Sequence, residues 1–441
     1  MIHRPSTIRL TMAALGLLAA ACVGSGPTGA SHGTGGRGGT GGITGAGGTR
    51  TSGVGGGAGG GGASTGTGGT GAPGSGGGGA SGGGASGSGS GGTTGAGGTT
   101  TGSGGAGGGA TTCAGAPLSA SAASRLATEY QTWKTTFVRD CPSTSSAVVL
   151  KDGSSVVSEG IGYGMLLGAA NDDQPLFDKL WKFYLDHVDA RGLMNWAMNA
   201  CAPPGDNHAN SATDGDLDVA MALVQANARW GGYAAAAQSL IGKIKQYETD
   251  SCNGLNVLRP GDLFGGCSDV NNMGKVNPSY FAPAYYRVFA TVDTANAAFW
   301  IKLAGDSYTM LAQYQTTMGG LVPEWGFVDG RTDGGPYAYN ACRTPWRIAV
   351  DYLWFCTPEA RTFLQGVSAY VDGHGGIAGV PFDKNSAFLG AFALSGMPLG
   401  QAKLDAYVSA WLAAPVDDTP YFQATLRRLY LQVAASQFAK P

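Results

Sequence analysis

The chain has 441 residues and a formal net charge of −2 at pH 7, with charged residues making up only 13% of it. No basic run is present, which argues against an electrostatic nucleic-acid binder. No apolar run beyond the N-terminus is long enough to cross a membrane.

Residues 1–22 read as an export signal. Arg4 and Arg9 give a positive start, and the apolar core Leu10–Ala21 is too short to span a bilayer. It ends Leu18-Ala19-Ala20-Ala21-Cys22, small residues before a Cys, similar to a bacterial lipoprotein processing site. On that reading Cys22 carries lipid and tethers the chain to a membrane; the alternative is an ordinary cleaved signal and free secretion. Residues 23–116 are Gly, Ser, Thr and Ala with almost no large apolar side chain, so they account for most of the 79 glycines. Such a segment buries too little surface to offset its ordering entropy and is expected to be a disordered linker. About 90 residues of it would reach roughly 50–60 Å. Gly follows no three-residue period, which excludes a collagen-like helix.

Of the eight cysteines, seven remain once Cys22 is set aside. An exported chain permits disulfides, and an odd number leaves at least one thiol over. Cys113, at the linker's edge, is the candidate. The other six allow fifteen pairings, and the sequence does not choose among them. No C-x-x-C pair appears and His is scarce, so neither a metal nor another cofactor is expected.

From 117 to 441 the periodicity is mainly helical. Candidate helices fall near 119–137, 159–171, 174–188, 214–229, 232–248, 279–291, 294–315, 343–355, 357–371, 385–396, 401–413 and 420–436. Twelve helices in consecutive hairpins can close into a double ring, six inside and six outside; an open helical array is the alternative. The irregular stretches 190–213, 249–278, 316–342 and 372–384 carry Trp196, Asn207, His208, Asn210, Phe264, Asn271, Asn272, Trp325, Asp329, Asp333 and Tyr339. Aromatic rings beside carboxamides and carboxylates suit the apolar face and hydroxyl edge of a sugar ring. Each aromatic could equally fill the core.

Two motifs carry chemistry. Ser158-Glu159-Gly160-Ile161-Gly162-Tyr163-Gly164-Met165 puts one carboxylate among three glycines ahead of an apolar run. Glycine lets another molecule approach the backbone, and a Glu opening an apolar helix can be buried enough to keep its proton near neutral pH and act as a general acid. A helix-capping Glu is the plainer alternative. Ala212-Thr213-Asp214-Gly215-Asp216-Leu217-Asp218 places three carboxylates at a helix start, more than capping needs. Asp214 and Asp218, at i and i+4, share a face and repel unless something uses them.

Together with Asn277-Pro278-Ser279-Tyr280-Phe281-Ala282-Pro283, Arg343-x-Pro345-Trp346-Arg347 and Tyr421-Phe422-x-Ala424-Thr425-Leu426, these motifs resemble glycoside hydrolase family 8 across 117–441, in order. Val219 stands where the family usually has Ile or Met. The resemblance implies an all-α fold, an (α/α)6 barrel, and an inverting endo-acting hydrolase of β-1,4-linked glucan, mixed-linkage glucan, xylan or chitosan. It implies Glu159 as general acid and Asp214 as the residue that holds and distorts the sugar. Inversion also needs a carboxylate base. The family's usual Asp in Tyr-Asp-Ala-x-Arg is replaced here by Asn340, in Tyr339-Asn340-Ala341-Cys342-Arg343, and an amide cannot deprotonate water. Glu324, Asp329 and Asp333 lie just upstream, with Glu324 or Asp333 the preferred substitutes. Tyr163, Trp196, Tyr280, Trp325, Tyr339 and Arg343 are the expected sugar contacts. Arg343 and Arg347 could orient carboxylates, hold sugar or form structural salt bridges. Tyr280 and Tyr285 would line or underlie the cleft. His187, His208 and His374 are scattered and read as structural or exposed. The partner is then a polysaccharide, with neutral glucan or xylan ahead of cationic chitosan. The rival reading is a surface polysaccharide-binding protein whose active site has lapsed at Asn340.

Overall fold

The computed structural model describes residues 116–205, 210–416 and 418–441. The export signal, Cys22, the linker up to residue 115, Cys113, Asn207 and His208 lie outside the described residues.

Thirteen α-helices run among the described residues: α1 Ala120–Ala123, α2 Leu126–Phe137, α3 Ser158–Ala170, α4 Gln174–Asp186, α5 Thr213–Trp230, α6 Ala234–Tyr247, α7 Pro283–Val292, α8 Ala297–Thr317, α9 Thr344–Phe355, α10 Pro358–Gly373, α11 Ser386–Leu394, α12 Gln401–Leu412 and α13 Tyr421–Ala434. The expected helix over 119–137 is two helices, broken at Ser124 and Arg125. Each odd-numbered helix from α3 to α13 pairs with an even-numbered one: α3 with α4, α5 with α6, α7 with α8, α9 with α10, α11 with α12, and α13 with α2. α13 also packs on α3, which closes the odd-numbered helices into an inner ring. The result is the double ring expected.

Sequence explains which ring each helix joins. In α4 the buried residues are Leu176, Phe177, Leu180, Phe183 and Tyr184, a single stripe facing inward, as suits an outer helix. Full burial of each such side chain contributes roughly 1.5–3 kcal/mol. In α11 every residue from Ser386 to Leu394 is buried, and in α9 every residue from Thr344 to Trp354, as inner helices surrounded by neighbours require. Asp173 and Thr357 cap the starts of α4 and α10 through their side chains, worth about 1 kcal/mol each.

The segments between helices hold more pairing than their sequence suggested. Among the described residues four two-stranded antiparallel ribbons form: β1 Val138–Cys141 with β2 Ser146–Val149, β3 Ser155–Val157 with β4 Ala197–Asn199, β5 Thr249–Cys252 with β6 Leu255–Leu258, and β7 Lys275–Val276 with β8 Gly326–Phe327. Short strands of two to four residues give too little alternation to read in advance. Disulfides Cys141–Cys201 and Cys252–Cys267 staple two of these loops, and Cys356 is also disulfide-bonded. Among the described residues Cys342 is buried outside these disulfides, and its Sγ–H donates to Tyr339 O.

Because chain direction alternates between rings, the inner helices run parallel. The starts of α3, α5, α9 and α13 meet at one end, where Glu159, Asp214, Arg343 and Tyr421 touch.

Candidate active site

Glu159 is the second residue of α3. Val157 leads in with extended backbone, and the Ser158 N–H donates to Trp196 O at 3.0 Å. No side chain caps this helix, so the capping role considered for Glu159 is not the one it has. Its carboxylate turns inward instead. Oε2 accepts from Arg343 Nη1 at 2.5 Å and Oε1 from the Tyr421 hydroxyl at 3.0 Å.

The glycines of this segment serve packing within the chain rather than the approach of another molecule. A Cβ on Gly160 would lie 2.9 Å from Tyr421 Oη, and one on Gly162 would lie 2.7 Å from Asp218 Cβ. Gly215 answers from α5, where a Cβ would meet Ser158. These absent methyl groups let α3 and α5 come close enough for one guanidinium to bridge their carboxylates.

α5 distributes its three acids by rotation of about 100° per residue. Asp214 Oδ1 accepts from Gly215 N–H at 3.0 Å and Oδ2 from Arg343 Nη1 at 2.7 Å. Asp218, one turn on, is gripped by both Nη atoms of Arg347, with Nη2 to Oδ2 at 2.7 Å. The expected repulsion between Asp214 and Asp218 is thus met by an arginine for each. Asp216 turns the other way and accepts from Tyr184 Oη at 2.6 Å and Met194 N at 3.2 Å. It sits beside the buried Glu248, which accepts from Ser211 Oγ at 2.6 Å.

Arg343 is wholly buried and ends a short 3-10 turn, Ala341–Arg343, that leads into α9. Besides the two carboxylates it donates to Tyr163 Oη at 3.3 Å, Ser279 Oγ at 3.0 Å and Asn340 Oδ1 at 3.3 Å. It packs over the Tyr280 ring at 5.2 Å from the centroid. Of the expected sugar contacts, Tyr163, Tyr280 and Arg343 are buried, as Glu159 and Asp214 are. Trp196, Trp325 and Tyr339 are half-buried and nearer the surface. Tyr339 donates to Asp383 at 2.5 Å and accepts from Asn385 at 3.0 Å. Trp325 has Phe264 edge-on at 5.7 Å and Lys275 over its face at 5.1 Å. Tyr285 is buried beside Asp218 and Arg347.

Burial pushes the Glu159 carboxyl up to about 7; Arg343 opposes the shift and the nearby Asp214 adds to it. A carboxyl poised there can hold a proton at mildly acid to neutral pH and release it to a substrate oxygen.

The candidate bases separate by position. Glu324 is half-buried and accepts from the Asn340 backbone N–H at 2.7 Å, one residue contact from the Arg343 cluster. Asp333 lies 3.7 Å from Lys275 Nζ, in the Trp325 group. Asp329 is exposed and paired with Arg331 at 2.7 Å. Two contributors escaped the site reading of the sequence. Tyr421 lies 262 residues from Glu159, and Ser279 lies 64 from Arg343. Both stood in motifs that marked them, but no spacing rule connects residues so far apart. His187 is buried, with its ring nitrogens on Phe183 O and Ala202 O, which is a structural role. Among the described residues no cluster of His, Cys, Asp and Glu could hold a metal ion.

The model of the family "Glycosyl hydrolases family 8" matches residues 109–371. Endoglucanase 2 of Ruminiclostridium josui is 34% identical over 323 residues, covering 70% of this chain and 66% of that protein. Endoglucanase A of Acetivibrio thermocellus is 32% identical over 347 residues, covering 72% of this chain and 70% of that protein. The chain thus spans 66% and 70% of the length of these two relatives. Among solved structures, the apo structure of a beta-1,3-1,4-glucanase from Paenibacillus sp. X4 superposes with a TM-score of 0.62 at 22% identity, covering 74% of this chain and 96% of that one.

Proposed function

Because the chain belongs to family 8 of the glycosyl hydrolases, we propose that it is an inverting, endo-acting hydrolase of β-1,4-linked glucan, with Glu159 as its general acid. The observation that carries this reading is the cluster of Glu159, Asp214 and Arg343, in which a buried carboxyl is poised to hold a proton near neutral pH.

In the proposed step Glu159 gives its proton to the glycosidic oxygen as the C–O bond breaks. A water attacks the anomeric carbon from the opposite face and passes its proton to a carboxylate base. Glu324 is our choice for that base, ahead of Asp333. What supports it is that its carboxylate accepts from the backbone N–H of Asn340, the residue standing where the family's usual base does, whereas Asp333 and Asp329 face Lys275 and Arg331. Asp214, fixed by Arg343 and the Gly215 N–H, would accept from sugar hydroxyls and hold the ring in a distorted shape. Trp196, Trp325 and Tyr339 would supply ring faces for neighbouring sugars.

The direct test is release of reducing ends from soluble β-glucan, cellulose, xylan and chitosan by the purified protein and by Glu159→Gln. Cleavage of β-glucan or cellulose that Glu159→Gln abolishes supports the reading. Unchanged cleavage by the variant removes Glu159 from its role. Binding to the whole panel without turnover favours the rival reading of a polysaccharide-binding protein, which rests on Asn340. We further propose an exported protein tethered through a lipidated Cys22. The Cys141–Cys201 and Cys252–Cys267 disulfides suit an oxidising compartment. Loss of Cys22→Ser from the membrane fraction would support the tether, and unchanged fractionation would refute it.

A further inference from the structure

The family reading uses Asp214 and leaves Asp218 and Arg347 without a task. These two residues form a second rung below the first. Asp218 follows Asp214 by one turn of α5, and Arg347 follows Arg343 by four residues across the start of α9. The upper rung is Glu159 and Asp214 on Arg343; the lower is Asp218 on Arg347. Both rungs are buried, so their charges count at short range with little water to screen them.

The count does not balance. Three carboxyls, Glu159, Asp214 and Asp218, face two guanidiniums, Arg343 and Arg347. Arginine keeps its charge in a protein. One carboxyl therefore carries the excess proton if the cluster is to stay near neutral. The other titratable groups packed around it are Tyr163 on α3, Tyr285 on α7, and Tyr421 and Tyr430 on α13, with half-buried Glu324 approaching through Asn340. Burial holds Tyr163, Tyr285 and Tyr430 well above their ordinary range, so these three stay neutral.

Geometry chooses among the three carboxyls. Asp218 has both oxygens in the fork of one guanidinium, an arrangement that suits a full carboxylate. Burial leaves its carboxyl above the ordinary carboxylate range, with Arg347 opposing the rise. Asp214 has a helix N-terminal N–H on one oxygen and Arg343 on the other. Glu159 has only a share in that same Nη1 and a neutral tyrosine hydroxyl. We propose that the Asp218–Arg347 pair is a positioning device that withdraws Asp218 from the contest for the excess proton and so assigns that proton to Glu159. The inference rests on the reading of Glu159 as general acid and adds what keeps that acid charged with its proton. It makes the lower pair a determinant of pH dependence although neither member needs to touch sugar.

The test is titration of carboxyl carbons by 13C NMR in the intact protein, with Glu159 identified by the signal lost in Glu159→Gln, read beside the pH profile of kcat/KM. In the unmodified protein Asp218 should stay ionised at pH values where Glu159 is protonated; the reverse order overturns the proposal and needs no folded variant of Asp218. In Asp218→Asn two carboxyls face two guanidiniums, so the Glu159 titration should fall by roughly one pH unit or more, and the alkaline limb of kcat/KM should fall with it. Asp218→Glu should leave both in place. The double variant Asp218→Asn with Arg347→Gln restores one excess carboxyl and should return the titration toward its original position. A merely structural role predicts lost activity in all three variants with no such reversal. An unmoved Glu159 titration in folded Asp218→Asn overturns the inference. A titration that moves while the alkaline limb stays fixed keeps the inference and removes Glu159 as the general acid.

Discussion

Replacing Glu159 by glutamine should make the protein more stable at alkaline pH and leave it unchanged at acid pH. Burial raises the Glu159 carboxyl to about 7 from its ordinary 4.5. The folded state then holds a proton that the unfolded chain gives up across that interval. For a carboxyl shifted upward, stability falls as pH rises from the unfolded value to the folded one, and the full deficit stands above about 7. At about 1.4 kcal/mol per pH unit this interval corresponds to at most about 3.5 kcal/mol. Glutamine has no proton to lose and its amide oxygen can still accept from Arg343, which keeps Asp214, Ser279 and Asn340 as further partners. Urea midpoints of the parent and Glu159→Gln, measured from about pH 4 to about pH 9, give the difference directly. The curves should coincide at the acid end and diverge through neutrality, with the variant the more stable above it. A difference that does not depend on pH, or a variant that grows less stable as pH rises, would refute the burial argument.

Three further outcomes follow from the same geometry. Glu324→Ala should lower kcat/KM by about 10²–10⁴-fold and recover turnover with added azide, whereas Asp333→Ala should cost less than about 10-fold; equal losses would remove the preference for Glu324. Gly162→Ala drives a methyl group to 2.7 Å from Asp218 Cβ and should destabilise by about 1–3 kcal/mol in urea unfolding; an unchanged midpoint would contradict the close α3–α5 approach. Burial also pushes Asp216, beside Glu248, up to about 7, so the parent should lose stability as pH rises toward that value. Glu248→Gln can donate an amide hydrogen to Asp216 and should flatten that slope, as pH-dependent thermal melting would record.

Much of the ring architecture could be read from apolar spacing. The single stripe of α4 and the unbroken apolar run of α11 already separate an outer helix from an inner one. Glu159 and Asp214 were visible because glycines and clustered acids cost helix stability and so ask for a reason. What the motifs could not supply was direction. Three acids within five residues of α5 serve three separate partners, Arg343, Tyr184 and Arg347, and only the packed ring decides which. Nothing local to Tyr163 or Tyr280 signals that the packed ring buries both against Arg343. The short ribbons were illegible for a similar reason, since their residues meet partners set by the tertiary fold rather than by local pattern.

Time-resolved proton NMR of the first reducing ends released from a β-1,4-glucan bears most directly on a proton donor and a water-activating base acting from opposite faces. Initial appearance of the α-anomer, followed by slow mutarotation, is the predicted result. Initial release of the β-anomer would mean a covalent glycosyl intermediate and would contradict the account.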